Sequence, residues 1–220
     1  MSERLTLRSF KGPTVEVFRM ALQEAVDACG GMIFWECRRT RPEEDLRLTH
    51  QENVHTVFLP YLNGADHLLC RLVAGRLDVP WIETRIQEGA FWDYSLYSGL
   101  DNVDNFSCLP EYWGPGDTTA MDAQRGRPQL LADVWQVPRG RIERYLQRWN
   151  WESVFGGSTE QASTEKAYDS DSDGYGSIYQ MFDFLSALGA ADPMAHGVLH
   201  RIIVPSIENL EKALKSLGKA

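Results

Sequence analysis

The residues with the clearest metal-ligand spacing are Asp169, Asp171 and Asp173, which directly precede Gly174. An EF-hand calcium loop begins in this way, because oxygens at alternate positions surround the ion and the glycine permits the bend. The twelfth position of such a loop needs a bidentate glutamate, and here it is Gln180. The pattern therefore predicts either a calcium site at the three aspartates or acids that precede a helix N-terminus, where negative charge is favourable. No other cofactor is predicted.

Cys108 is the candidate nucleophile, because it lies in a predicted loop shortly before Pro110. A catalytic cysteine needs a nearby imidazole or cation to favour its thiolate. The chain contains five histidines, and the sequence places none of them beside Cys108. Two interpretations stay open: a hydrolase or transferase site near Cys108, and a thiol packed beneath a neighbouring aromatic ring.

Four acids lie on a predicted antiparallel meander over 81–107, namely Glu83, Asp93, Asp101 and Asp104. Two carboxylates brought together could act as general acid and base in a hydrolysis. The favoured interpretation is a solvated outer face of the meander. No glycine-rich phosphate-binding motif of the GxxxxGK[ST] or strand-linked GxGxxG type occurs, which argues against a nucleotide-dependent enzyme.

The segment 91–113 contains seven aromatic residues, which is more aromatic surface than one hairpin needs. Aromatic side chains at the centre of an interface with acids around them are typical of a tight binder of a basic protein. This pattern predicts a partner-binding face, and a basic toxin domain is one partner that would fit it. The predicted contact residues are Trp92, Asp93, Asp101, Asp104, Tyr112 and Trp113.

Composition indicates a globular protein, since 43% of the 220 residues are hydrophobic and 24% are charged. The net charge of −9 argues against nucleic acid or an anionic membrane as a partner. The N-terminal sequence has no apolar signal-peptide core, and no segment has the length of a membrane span. Four cysteines without a CxxC pair are typical of reduced thiols, and we expect a cytoplasmic protein.

Periodicity predicts an α+β fold, in which an antiparallel β meander packs against several helices in a single domain over 1–220. The polar segments 39–52 and 152–173 are predicted to be loops, the second of them exposed. Besides the meander, strands are predicted over 32–38, 53–62 and 198–205. Helices are predicted over 14–29, 65–77, 130–135, 139–149, 175–188 and 206–217.

Four short patterns carry a resemblance to known proteins. They are W-x-Y-x-L-Y-x-G over 92–99, V-D-x-F over 103–106, P-x-Y-W over 110–113 and Y-G-x-I-Y-Q-x-x-D-F-L over 175–185. In these patterns, which cover under a fifth of the chain, the sequence resembles a loose set of bacterial immunity-protein-like proteins. The resemblance implies an α+β binding protein without chemistry of its own, and it carries over no catalytic residue. We therefore expect a protein-binding module that neutralises a toxin by occlusion.

Overall fold

The computed structural model describes residues 5–59, 64–112, 117–149 and 165–217. These residues form two compact units. The first unit comprises the described parts of Leu7–Trp81, Tyr97–Asp101 and Ala190–Ala220. The second unit comprises the described parts of Met1–Thr6, Ile82–Leu96 and Asn102–Gly189. The single domain expected over 1–220 stays a prediction.

Eight strands form an antiparallel sheet in the order β2-β8-β3-β4-β1-β5-β6-β7, which together with the helices confirms the predicted α+β fold. The strands are β1 (Leu5–Lys11), β2 (Met32–Phe34), β3 (Asp45–Gln51), β4 (Val54–Phe58), β5 (Pro80–Gln87), β6 (Phe91–Ser98), β7 (Asp101–Ser107) and β8 (Val198–Ile203). The helices among the described residues are α1 (Val15–Ala28), α2 (Ala65–Leu77), α3 (Thr118–Asp122), α4 (Pro128–Trp135), α5 (Gln180–Ala187), α6 (Pro193–His196) and α7 (Ile207–Leu217). None of the described helices is long and apolar enough to cross a bilayer.

The centre of the sheet follows a split βαβ topology. Helix α1 lies between β1 and β3 along the chain, and β4 lies between those two strands in the sheet. Helix α2 connects β4 to β5, and β1 lies between them. These two split βαβ motifs overlap, and together they form the βαββαβ arrangement of a ferredoxin-like fold. Strands β8 and β2 extend this centre on one side, and β6 and β7 extend it on the other.

The helices of the first unit bury one apolar face each. Helix α1 begins at Thr14, whose side chain accepts a hydrogen bond from the backbone N–H of Val17. Its buried side chains recur at the three- and four-residue steps of a helix face, and α1 packs against α2, which in turn packs against α7. After α1, a Cβ on Gly31 would lie 2.5 Å from the carbonyl oxygen of Ile203, so only glycine fits there.

The core of the second unit is aromatic. The ring of Phe184 on α5 lies 5.1 Å from Trp92 and is stacked 5.6 Å from Tyr94, both on β6. Phe106 on β7 contacts the same two rings. The indole N–H of Trp135 donates to the carbonyl of Leu188 at 2.8 Å, which gives a buried polar atom its partner.

The two edges of the sheet differ. The outer side of β7 is covered by residues 124–126, since Ser107 N–H donates to the carbonyl of Gln124 and Gly126 N–H donates to that of Asn105. Phe106 and Arg125 form an antiparallel bridge at the same place. Strand β2 ends the strand order on the other side and pairs with β8.

Two sequence predictions of local structure are wrong, and one strand was not predicted. The predicted loop over 39–52 contains β3, and the N-terminal segment, for which no element was predicted, contains β1. The predicted helix over 139–149 is two short 3-10 turns, Arg139–Arg141 and Glu143–Tyr145, followed by irregular chain. By contrast, the helix predicted over 65–77 has the observed bounds of α2.

His200 makes the first unit sensitive to acid. This β8 side chain is 2% exposed, and its Nδ1 accepts a hydrogen bond from the backbone N–H of Glu36 at 2.8 Å. Burial, with a smaller contribution from the charge of Arg19, lowers the pKa of His200 to about 4. Burial also lowers the pKa of His55. As the pH falls, the histidines of the unfolded chain take up protons before those of the folded protein do. The contribution of these neutral, buried histidines to the free energy of unfolding is therefore fully present above the pKa of the unfolded chain and is lost as the pH falls below it.

We expect the free energy of unfolding to fall as the pH is lowered from about 6.5 to about 4, by on the order of 3 kcal/mol through His200. In a His200→Asn variant the amide oxygen can still accept from Glu36, and this dependence on pH should become about one proton weaker. Urea titrations at several pH values measure the slope. A His196→Gln variant, changed at an exposed position, should keep the wild-type slope; an unchanged slope in His200→Asn would contradict the assignment.

Candidate functional site

Half of the predicted partner-binding residues lie in the interior. Trp92 and Asp93 have no exposed surface, and Asp104 is 6% exposed. The indole of Trp92 packs between Phe106 and Phe184 in the aromatic core. A partner cannot reach these three side chains in the folded protein, so the predicted face is wrong in this part.

Of the other three predicted residues, the structure describes Asp101 and Tyr112. Asp101 is exposed at the start of β7, and Tyr112 is half-buried with its hydroxyl donating to Glu88 at 2.9 Å. The ring of Tyr112 also lies 4.8 Å from that of Phe91. Trp113 lies outside the described residues.

Glu83 and Asp93 belong to a buried polar network around Arg85, which we call the Arg85 network. The Nε of Arg85 donates to Asp93 at 2.5 Å, and its Nη1 donates to Glu83 at 3.1 Å. Its Nη2 donates to the hydroxyl of Ser95 at 3.0 Å. Gln87 donates to the second oxygen of Asp93, also at 3.0 Å. The solvated outer face predicted for Glu83 and Asp93 is therefore wrong, because these acids are buried and paired.

The two carboxylates of this network outnumber its one guanidinium. Burial raises the pKa of Asp93, and the charge of Arg85 opposes that effect. Every nitrogen of the Arg85 guanidinium already donates to a side chain of β5 or β6. We interpret the network as a structural one, which neutralises charge between two strands.

Asp104 forms a second buried contact. Its Oδ2 accepts from the hydroxyl of Tyr94 at 2.8 Å and from the backbone N–H of Arg127 at 2.9 Å. Its Oδ1 accepts from the Arg127 side chain at 3.1 Å. Burial and the nearby carboxylate raise the pKa of Tyr94 well above its usual value, so the hydroxyl keeps its proton. Asp104 thus connects β7 to the start of α4 instead of facing solvent.

Cys108 has the properties of a structural thiol. It has no exposed surface, and its sulfur accepts a hydrogen bond from the backbone N–H of Trp92 at 3.4 Å. Burial raises the pKa of the thiol well above its usual value, and the negative charge of Asp93 adds to this effect. A buried thiol that holds its proton is a poor nucleophile. The geometry does not support an enzyme built on Cys108.

The aspartates of the calcium-like motif hold their own loop together. Asp171 is buried and accepts from the hydroxyl of Tyr145 at 2.5 Å and from the backbone N–H of Tyr168 at 2.9 Å. Asp173 accepts from the hydroxyl of Ser177 at 2.8 Å. Asp169 is exposed. Among the described residues, no three His, Cys, Asp or Glu side chains are placed to hold a metal ion, so the structure does not bring these carboxylates together.

A second set of carboxylate contacts involves α5. Oδ2 of Asp183 accepts from the backbone N–H of Ser172 at 3.0 Å and from that of Asp173 at 2.8 Å. The loop predicted over 152–173 is described only from residue 165, where it consists of turns and bends with Ala167 and Asp171 buried. These contacts fix the loop against α5.

Tyr145, Tyr168, Asp171 and Asp183 line a cavity of about 300 Å³ in the second unit, together with Arg141 and Ser186. We call it the acidic cavity. Burial raises the pKa of Tyr145, and the hydrogen bond to Asp171 and the charges of Asp171 and Asp183 raise it further. The carboxylates of Asp171 and Asp183 therefore place negative charge beside this hydroxyl, and the guanidinium of Arg141 lines the same cavity.

The acidic cavity was not predicted from the sequence as a site. Tyr145 lies within the helix predicted over 139–149, and Asp183 occurs only as one letter of the Y-G-x-I-Y-Q-x-x-D-F-L pattern. The signal that could have pointed to it is the unusual density of tyrosine and aspartate over 168–183. Comparisons with protein-family models, with curated proteins and with solved structures returned no match. The likeness to immunity proteins stays a prediction.

The Arg85 network gives a test of stability. Replacing Arg85 by methionine leaves two buried carboxylates without their cation, which should lower the free energy of unfolding at pH 7 by roughly 3–5 kcal/mol. The deficit should shrink at lower pH, where Asp93, whose pKa burial raises, takes up a proton. Arg139 is the matched control, because its ion pair with Glu143 is exposed, and Arg139→Met should cost about 0.5 kcal/mol or less. Equal losses in the two variants would contradict the proposed role of Arg85.

Thiol reactivity tests the assignment of Cys108. Of the four free cysteines, Cys37 is partly exposed, and Cys29, Cys70 and Cys108 are buried. A chromogenic disulfide reagent should label one thiol rapidly in the native protein and all four after unfolding. A Cys37→Ser variant should lose the rapid phase. Rapid labelling that persists in Cys37→Ser and disappears in Cys108→Ser would instead show an accessible, activated Cys108.

Proposed function

We propose that this chain is a protein-binding module that receives a lysine or arginine side chain of a basic partner in its acidic cavity. The observation that carries the proposal is the pairing of two carboxylates with two tyrosine rings around one cavity. Tyrosine rings attract cations through their faces, and carboxylates bind guanidinium and ammonium groups by charge-assisted hydrogen bonds. Arginine is also enriched among the residues that dominate protein interfaces.

A guanidinium already stacks at this place within the chain. The Arg144 side chain lies 5.4 Å from the centre of the Tyr168 ring, and its Nη1 donates to the carbonyl of Ala167. This contact supports the capacity of the Tyr168 ring to accept a second cation on the cavity side. A carboxylate offers about four lone-pair directions, and Asp171 uses two of them in the contacts described above. Acceptor capacity is thus left for a bound group.

The wider proposal is an immunity protein that neutralises a toxin by covering a basic surface. The net charge of −9 supports attraction to such a partner. We place the protein in a reducing cytoplasm, and its four cysteines, all free, support that location. In this proposal the chain contributes binding and no chemical step.

The cavity is tested with a small cation and its neutral isostere. N-acetylarginine amide should shift the amide resonances of residues 140–145 and 168–187, whereas N-acetylcitrulline amide, which has nearly the same shape without the charge, should not. Asp183→Asn removes one charge and keeps an oxygen for the N–H groups of Ser172 and Asp173. It should weaken binding by about tenfold. Arg141→Gln removes the cationic side chain that lines the cavity and should strengthen binding.

The opposite signs of the two variants separate binding in the cavity from a change in folding. Equal shifts with the arginine and citrulline compounds, or the same affinity in all three proteins, would contradict the proposed cation site. At the level of function, a partner captured from lysate of the source organism should be recovered less with Asp183→Asn and more with Arg141→Gln. A stoichiometric partner indifferent to both variants would show that the acidic cavity is not the binding face.

A further inference from the structure

The outer edge of β2 combines an open strand with exposed apolar side chains. Met32 and Phe34 project from the same side of the strand and are 49% and 42% exposed, whereas Ile33 between them is buried. The pairing of β2 with β8 occupies one side of the strand, and among the strands that the structure describes no neighbour follows on the other side. An edge of this kind offers unpaired backbone groups to another chain.

A surplus of positive charge follows directly after this edge, although the chain as a whole is acidic. In three nearby ion pairs the positive and negative charges neutralise each other, namely Arg19–Glu36, Arg47–Asp45 and Arg201–Glu44. The segment 38–43 then retains Arg38, Arg39 and Arg41 against Glu43 alone, all of them exposed. Within the described part of the chain, none of these three arginines donates a hydrogen bond to a carboxylate.

We propose that the β2 edge binds an extended acidic peptide segment of a partner protein, which adds a strand beside Met32–Phe34 and places its acids against Arg38, Arg39 and Arg41. Strand addition supplies affinity through backbone hydrogen bonds, and alternate side chains supply specificity. In an antiparallel arrangement the acids precede the apolar residues, because the arginines follow the C-terminal end of β2. Met32 and Phe34 then lie beside the apolar residues of the peptide.

Charge selects this occupant over a second copy of the chain. A second copy carries the same surplus of arginines, with Arg38, Arg39 and Arg41 against Glu43 in the segment 38–43, whereas an acidic peptide supplies only the opposite charge. The β2 edge shares no residue with the acidic cavity, and the two surfaces carry charge of opposite sign. The inference therefore goes beyond the proposed function, and either can fail without the other.

The test uses a labelled eight-residue peptide with three glutamates followed by alternating valine and threonine. Fluorescence anisotropy should detect binding to the full chain, and the amides of residues 32–34 should become protected from hydrogen exchange. A peptide of the same sequence with N-methyl groups on alternate residues keeps the charges and side chains but cannot pair as a strand, so it should not bind. Replacing Arg38, Arg39 and Arg41 together by glutamine should weaken binding of the first peptide by about tenfold or more, as should high salt.

Each other outcome overturns the inference. Equal binding of the N-methylated peptide would show simple ionic attraction without strand addition. Full affinity in the triple-glutamine variant would remove the arginines from the site. Failure of the peptide to bind, with a chain that sediments as a dimer and is protected at 32–34, would assign the edge to a second copy. The variant Asp183→Asn, changed in the acidic cavity, should bind the peptide as the wild type does.

Discussion

Arg85 brings a positive charge to the buried acids of the β5–β6 hairpin. Its guanidinium donates to Asp93, Glu83 and Ser95, so the same group contacts both strands. An ionised carboxylate without a partner costs several kcal/mol in the interior, and neither acid could be tolerated there alone. The network also fixes the strand register, since a shift of one residue would turn these polar side chains towards the face that carries Trp92 and Tyr94.

Five acids in the described part of the chain are buried, so the position of an acid in the sequence is a poor guide to whether it reaches the surface. Asp104 accepts a hydrogen bond from the backbone at the start of α4, and Asp171 accepts one from the hydroxyl of Tyr145. Asp183 accepts one from the backbone of the loop before α5. The regular D-x-D-x-D-G pattern has the same explanation, because loops without regular structure need acceptors for their backbone N–H groups. The charged side chains that reach the surface are unevenly distributed, since the cavity around Asp171 and Asp183 is acidic and the edge beside β2 is basic.

The sequence predicts the elements whose apolar residues recur regularly and fails where polar residues interrupt the pattern. Helix α2 and the meander of β5, β6 and β7 are confirmed, because their apolar periodicity continues over the whole element. Strand β3 was missed because Leu46 and Leu48 are its only apolar residues, and the charged Asp45 and Arg47 beside them are typical of a loop. The segment 139–149 has helical spacing of apolar residues, but Gly140 disfavours a regular first turn, and the backbone N–H of Trp149 donates to the carbonyl of Cys108 instead of a helical carbonyl.

The same limit applies to the candidate site. Sequence composition indicates that aromatic and acidic residues are abundant over 91–113, but whether Trp92 or Asp93 faces solvent depends on which side of the strand α5 covers. The acidic cavity combines residues about forty positions apart, between Arg141 and Ser186, and no local pattern encodes such a meeting. Burial and long-range proximity are the two quantities that a single sequence leaves undetermined.

The asymmetry of the two sheet edges sets how this chain can assemble. Since residues 124–126 already pair with the outer side of β7, strand addition among the described strands is available only beside β2. Growth of a fibre needs each subunit to offer two complementary open edges, so that every addition creates the site for the next. Two chains that each offer one open edge can pair only once through these edges, and the pair has no further edge of this kind. The chain can therefore expose the partly apolar strand β2 without growing into a fibre through strand addition.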